Sequence, residues 1–529
     1  MELLNNLILI FRRKKKEIKG VRKQVSSAPE EGSTHPAGKS EQNNNPDNIR
    51  RNEPGKENKE SINKVQNKPK TVGELRASGY RPVSIREEMR RNIISMIKGN
   101  KKIFPGIIGY DETVIPQVEN AIISGQDIIF LGERGQAKSR IMRLLVELLD
   151  EEIPVIKGCE INDNPFSPIC KSCREIVARD GDATEISWLS RKDRYGEKLA
   201  TPDTTIADLI GDVDPIKVAE GRYLSDELTI HYGLIPRTNR GIFCINELPD
   251  LAERLQVGLF NLMEESDIQI KGYRIRLPLD IFLVASANPE DYTSRGRIIT
   301  PLKDRYGAQI RTHYPVTIKD EVTIVEQEWQ RFSGDELEYY VPDYIKEVIA
   351  EITHLARKSP DISQRSGVSV RVSIANQETV VANAIRRAIT LGEKLAVPRI
   401  SDLGYILAST TGKVEMESFE DTDEEKIVGD LTRKAVLGVF NRHYQPGELE
   451  DIVQQFNGGF SVETSETTSA RSYVRNMKEI RGMAKAVRVM TDSETPEIVA
   501  SIVEFILEGL HLNKRLNKSR VQGKTVYKR

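Results

Sequence analysis

A chain of 529 residues exceeds what one hydrophobic core organises and predicts roughly two to four domains. With 38% hydrophobic and 30% charged residues and a formal net charge of −1, it reads as a soluble protein with no global pull toward nucleic acid or anionic membrane. Four cysteines exclude a disulfide framework and point to a reducing, cytoplasmic compartment, and no run of about 18 apolar residues predicts a transmembrane segment.

The start, MELLNNLILIFRRKKK, places its apolar stretch before its basic cluster, the reverse of a secretory signal. Two readings stand: an unstructured extension, or an interfacial anchor with Leu3 to Phe11 among headgroups and Arg12 to Lys16 on anionic lipid. Residues 24 to about 70 nearly lack large apolar side chains and cannot offset their ordering entropy, so residues 1–70 are expected to be a disordered extension of about +7 charge.

From residue 71 to 315, short apolar runs alternate with amphipathic stretches. DIIFLG (127–132), IPVIKG (153–158), GIFCINE (241–247), DIFLVASANP (280–289) and QIRTHYP (309–315) read as buried strands. Helical patterns such as SRIMRLLVELLDEE and ERLQVGLFNLMEE lie between them. This alternation predicts an α/β core, a mainly parallel sheet covered by helices on both faces. After Pro315 the strand signals largely stop. IKDEVTIVEQEWQRF, PDYIKEVIAEITHLARKS, ANQETVVANAIRRAITLGEK and TPEIVASIVEFILEGLHLNKRL carry helical periodicity, which predicts helices at 316–420 and again at 421–529, closed by a basic tail that is either solvated or in contact with an acidic partner.

The stretch after the first strand signal is Gly132-Glu133-Arg134-Gly135-Gln136-Ala137-Lys138-Ser139. It approximates G-x-x-x-x-G-K-[ST], with Ala137 in place of the last glycine. Strand before and helix after are the context that motif needs. Consecutive backbone N–H groups and the helix N-terminus would cradle phosphate, Lys138 would reach the β- and γ-phosphates of ATP, and Ser139 would offer an oxygen to Mg²⁺. An ordinary glycine turn is the competing reading. Downstream, GIFCINE ends in Asn246-Glu247, where P-loop enzymes usually carry two acids. Glu247 is the candidate general base; Asn246 can reach Mg²⁺ only through a water, without charge. Asn288, at the end of the next strand signal, can hold the attacking water or sense the γ-phosphate. Arg305 in PLKDRYG could reach a neighbouring subunit's γ-phosphate, with Arg295, Arg297 and Arg311 as competitors. Arg371, at or just before a helix start, can aim at the same phosphates.

GCEINDNPFSPICKSC places Cys159, Cys170 and Cys173 within one short insertion. A C-x₂-C pair plus a third cysteine could bind Zn²⁺ with a carboxylate or water as fourth ligand; free thiols are the alternative. Cys244, mid-strand, reads as core.

These motifs, in this order, resemble the AAA+ ATPase subunit of magnesium chelatase and its MoxR-type relatives over residues of about 104–315. FPGIIGYDE resembles the segment that packs on the nucleotide base, which puts Ile108 and Gly109 at the nucleotide. LGERGQAKS resembles Walker A, TNRGIFCINE Walker B, SANPED sensor 1, PLKDRYG the arginine finger and GVSVRVS sensor 2. ADLIGDVDPIKVAEGRYLSDELTIHYGLIPRTNRG matches a helix-2 insertion. DIQIKGYRIRLPLDIF matches a pre-sensor-1 hairpin turning at Lys271-Gly272, with Ile268, Ile270, Ile275 and Leu277 alternating. The resemblance implies an ATP- and Mg²⁺-dependent ring, commonly a hexamer, with a helical lid. It also implies a protein partner, in MoxR-type relatives often one bearing a von Willebrand factor A domain. Magnesium chelation proper is a second reading. A sigma-54-type regulator fits less well, because the helix-2 region lacks a GAFTGA-type loop and no helix-turn-helix is evident. An MCM-like helicase fits less well too: the charge is near neutral, and the hairpin offers Lys271, Arg274 and Arg276 alone, so no nucleic-acid partner is expected.

Overall fold

The computed structural model describes residues 68–219, 227–265, 267–269, 276–288, 297–330, 337–417, 423–521 and 524–529. The expectations for the N-terminal extension and for the tip of the 268–277 hairpin lie outside them. Residues 68–529 form one compact unit.

Its centre is a five-stranded parallel sheet: β1 (Ile128–Leu131), β2 (Tyr195–Leu199), β3 (Gly241–Asn246), β4 (Ile281–Ala287) and β5 (Ala308–Arg311), in the order β5-β1-β4-β3-β2. Successive side chains on a strand point to opposite faces, and on the three inner strands both faces are buried. Ile128, Phe130, Ile242, Cys244, Phe282 and Val284 pack against the helices Ile85–Lys98, Val114–Ile123 and Lys138–Leu144. Ile129, Phe243, Ile245, Leu283 and Ala285 face the opposite layer, built on the helix Glu253–Glu265. Ser84 starts Ile85–Lys98 with a capping box to Glu87, satisfying donors the first turn cannot. Beneath it the buried pair Glu88–Arg194, at 2.6 and 2.7 Å, ties that helix to the turn before β2.

Two departures from the sequence reading concern strands. The run at 153–158 does not enter the parallel sheet; Glu152–Ile156 pairs antiparallel with Ile186–Ser190 in a separate hairpin. The fifth core strand is β2, YGEKL, whose residues are mostly half-buried. It is a polar edge strand, and edge position removes the continuous apolar signal on which a buried strand is recognised. Within the helix-2 insertion, Gly211–Val213 pairs antiparallel with Ile230–Tyr232, and Asp267–Gln269 pairs with Arg276–Pro278.

Beyond the sheet, the helices Ile318–Glu328, Asp343–Ala356, Arg371–Leu391, Glu424–His443 and Pro496–Leu512 dominate. One hydrophobic core runs from Val341 to Tyr527, so the boundary drawn near residue 420 falls inside a shared core. Phe505 stacks on Tyr344 at 4.2 Å, and the Tyr344 hydroxyl bonds Ser501 Oγ at 2.7 Å. The basic tail is folded, with most of its lysines and arginines exposed on it. Asn517–Val521 and Lys524–Lys528 form an antiparallel hairpin, extended by Val462–Thr464. Tyr527 is the reason: it is buried and donates to Glu508, while Lys518 pairs with the same carboxylate at 2.8 Å.

Candidate functional site

The loop between β1 and the helix Lys138–Leu144 curls because two of its residues occupy the left-handed region, Gly135 (φ 74°) and Ala137 (φ 57°). The glycines are needed for room. A Cβ on Gly132 would lie 2.0 Å from Thr312 Oγ1, and one on Gly135 would lie 1.9 Å from Ser369 Oγ. Ala137, where a third glycine is usual, fills its position at the expense of a left-handed backbone.

Lys138 is the hub. Its ammonium donates to the carbonyls of Gly132 and Glu133 and to Asn288 Oδ1 (2.6 Å). Asn288 Nδ2 donates in turn to Glu247 Oε2 at 2.6 Å. Asn246 Oδ1 accepts from Ser139 Oγ and Ser286 Oγ, both at 3.2 Å. The residues expected at phosphate and metal therefore meet in one network at the C-terminal ends of β1, β3 and β4, where open α/β sheets bind ligands. Glu247 itself takes a left-handed backbone (φ 55°), held by its N–H to Ser286 Oγ at 3.2 Å. A glutamate in the left-handed region costs backbone energy that the surrounding bonds must hold.

A cleft of about 870 Å³ opens over this network. Ile108, Arg134, Gly135, Gln136, Ala137, Lys138, Ser139, Glu247 and Arg371 line it from one side or another, with Tyr110, His313, Ile324, Gln327 and Ile374.

No family model matches the chain. Curated relatives do. Magnesium-chelatase subunit ChlI of Nostoc sp. is 26% identical over 382 residues, spanning 68% of this chain and 95% of that protein. The magnesium-chelatase subunit ChlI homolog of Methanocaldococcus jannaschii is 28% identical over 231 residues, 42% of this chain and 58% of that one. Magnesium-chelatase subunit ChlI-2 of Arabidopsis thaliana is 30% identical over 257 residues, 45% of this chain and 54% of that one. The chain is similar in sequence to magnesium-chelatase ChlI subunits.

Gly132 and Glu133 are not among the residues lining the cleft; their carbonyls accept from the Lys138 ammonium. Gly109 is a turn residue (φ 77°) outside the lining; a Cβ there would face Asp320. Arg371 opens the helix Arg371–Leu391 and lines the cleft. Arg305 is not among the lining residues. It pairs with Glu264 at 2.8 Å and lies over Phe260 at 5.1 Å. Arg297 pairs with Glu253 at 3.6 Å, Arg311 is exposed on β5, and Arg295 is outside the described residues.

Glu197 was not foreseen. It sits on β2, the strand the sequence hid, opposite Cys244 in register. Its Oε1 accepts from Asn246 Nδ2 at 2.5 Å, and both its oxygens accept from Arg143 at 2.9 and 3.0 Å. The Arg143 hydrogen bonds hold its carboxyl below the usual range against the opposing pull of burial. The negative charge missing at Asn246 is thus present one strand away, bonded to the same amide.

The insertion after β1 gathers Cys159, Cys170 and Cys173 together with Asp163; their ligand atoms all lie within 4.8 Å of one another. Cys244 stays in the sheet core, its thiol pushed up to about 12 by burial. Among the described residues no helix is long and apolar enough to cross a membrane.

Proposed function

We propose that the chain hydrolyses ATP in the cleft above Lys138 and uses the energy to remodel a protein partner as a ring, with the neighbouring subunit completing each site. The observation that carries the reading is the single network joining Lys138, Asn288 and Glu247 beside Ser139 and Asn246.

The donor set fits a magnesium nucleotide. Lys138 and the curled loop offer cationic and N–H donors to phosphate. Ser139 and Asn246 would hold Mg²⁺, with Glu197 supplying charge behind the neutral amide. When bound, the metal neutralises charge on the phosphates. Glu247 then takes the proton of the attacking water, and Asn288 orients Glu247 by its 2.6 Å hydrogen bond while touching Lys138 with its other end. Any movement of Lys138 toward phosphate is therefore transmitted to the base through one side chain. Arg371 reaches the phosphates from the lid in the same subunit. Arg305, away from its own cleft, acts on the neighbour's, in a ring of hexameric type.

The names of the relatives support partnership in a magnesium chelatase as the alternative task, and a partner with a von Willebrand factor A domain fits either reading. Steady-state ATPase of Glu247→Gln tests the central step. Turnover should fall by about 10²–10⁴ while ATP still binds. Turnover at the parental rate would remove Glu247 from the role of base.

A further inference from the structure

The cysteine insertion has no part in the nucleotide chemistry, yet it is built like a closed ligand shell. Cys159 follows the strand Glu152–Ile156; Cys170 is the N-cap of the helix Lys171–Asp180, and Cys173 lies in its first turn. Cys170 and Cys173 are buried against the layer under β3 and β4. Two sulfurs accept backbone N–H groups, Cys159 Sγ from Asp163 and Cys170 Sγ from Cys173, both at 3.3 Å. Such donors lower the energy of thiolate charge, and outer hydrogen bonds of this kind orient metal ligands.

Asp163 is the independent observation. It is fully buried, its Oδ2 accepts from the Cys170 N–H at 3.0 Å, and its Oδ1 has no hydrogen-bond partner. A buried carboxylate oxygen left unsatisfied beside three thiols is expensive unless a cation takes it up. Spacing fits a single ion. Tetrahedral ligands about 2.3 Å from one ion stand about 3.8 Å apart, within the 4.8 Å observed. That is too close for a cluster in which each cysteine binds a different iron. Sulfur-rich tetrahedral sites without an open position select zinc.

We propose that Cys159, Asp163, Cys170 and Cys173 bind one structural zinc ion. Such an ion clamps the insertion to the core, because Asn162 Nδ2 bonds the Arg237 carbonyl at 2.7 Å and Asn239 Nδ2 bonds the Ile161 carbonyl at 3.0 Å. Those bonds run to the segment that leads into β3 and Glu247. Zinc therefore stabilises the base of the catalytic strand without touching substrate.

The test is zinc content of the full chain, purified under reducing conditions from zinc-supplemented culture without chelator and without nucleotide. The expected result is about one zinc per chain, lost in Cys173→Ser and kept in Cys244→Ser, the thiol outside the cluster. Asp163→Asn should surrender its zinc to a chelator at least about tenfold faster. Less than half an equivalent in the parent chain, a Cys170–Cys173 disulfide in the freshly reduced protein, or unchanged release from Asp163→Asn would each overturn the four-ligand site. Should Cys173→Ser fail to fold, X-ray absorption of the parent protein decides: three sulfurs near 2.3 Å and one oxygen support the site, and a shell of nitrogen and oxygen alone refutes it.

Discussion

Restoring an aspartate at Asn246 looks like a repair, and the structure predicts damage. Asn246 Nδ2 donates to Glu197 Oε1 at 2.5 Å. In Asn246→Asp that donor becomes a second carboxylate oxygen. Two unit charges about 3 Å apart at an effective dielectric near 20 repel by about 5.5 kcal/mol. The pair can escape by sharing a proton; for the introduced aspartate, of ordinary pKa about 3.9, uptake at pH 7.5 costs about 5 kcal/mol, at 1.36 kcal/mol per unit. The smaller figure caps the penalty, and partial neutralisation by Arg143 lowers it to about 2–4 kcal/mol. The sign with pH follows. The shared proton raises the folded-state pKa, so the penalty is absent below the unfolded pKa. It then grows by about 1.4 kcal/mol per unit as pH rises toward the raised value. Urea denaturation without nucleotide or magnesium, at pH 5.5 and 7.5, reads both quantities. Adding Glu197→Gln to Asn246→Asp should return most of the lost stability, since the hydrogen bond is rebuilt with the charge moved one strand over. A loss below about 0.5 kcal/mol with no pH dependence, or no recovery in the double variant, would refute the view that Glu197 carries the charge Asn246 lacks.

Other outcomes follow from the same geometry. Lys138→Ala should weaken ATP binding by about 100-fold or more in a fluorescent-nucleotide titration, the equivalent of a charge-assisted bond worth about 3 kcal/mol. Arg305→Ala should leave ATP affinity unchanged and cut turnover, and mixing it with Glu247→Gln should recover partial activity if the two residues serve one site from different subunits. Glu88→Ala strands Arg194, whose side chain is 1% exposed, and should destabilise the fold by about 3–5 kcal/mol in a denaturation midpoint.

The parallel sheet was legible where its strands are buried on both sides: 128–131, 241–246 and 281–287 lie inside the apolar runs that marked them, while the edge strand 308–311, exposed at Gln309 and Arg311, was caught only from residue 309 on. The edge strand 195–199 was not, because YGEKL has the composition of a loop and becomes a strand only by pairing with β3. That one miss also hid Glu197, which no local motif announces. Lys138, Ser139, Glu247 and Asn288 could be singled out because phosphate chemistry uses those residue types at strand ends and the following helix start; Lys138, Asn288 and Glu247 are hydrogen-bonded in line, and Ser139 bonds Asn246. Three zinc-type ligands could be read from spacing; Asp163 could not, since a carboxylate four residues past a cysteine is common, and only its burial and its unsatisfied oxygen distinguish it. Most basic side chains of the C-terminal tail are exposed, as its charge suggests, but its hairpin was not foreseen. Its lysines sit on a hairpin anchored by one buried tyrosine, and composition outweighed the alternation that would have revealed it.

The central claim, an ATPase whose sites are completed between subunits, is tested most directly by ATPase rate per chain against chain concentration, with particle mass measured in parallel at saturating ATP and Mg²⁺. The account predicts a rate per chain that climbs steeply and levels off as an ATP-dependent ring forms. A rate independent of concentration from a particle that remains a monomer would contradict it.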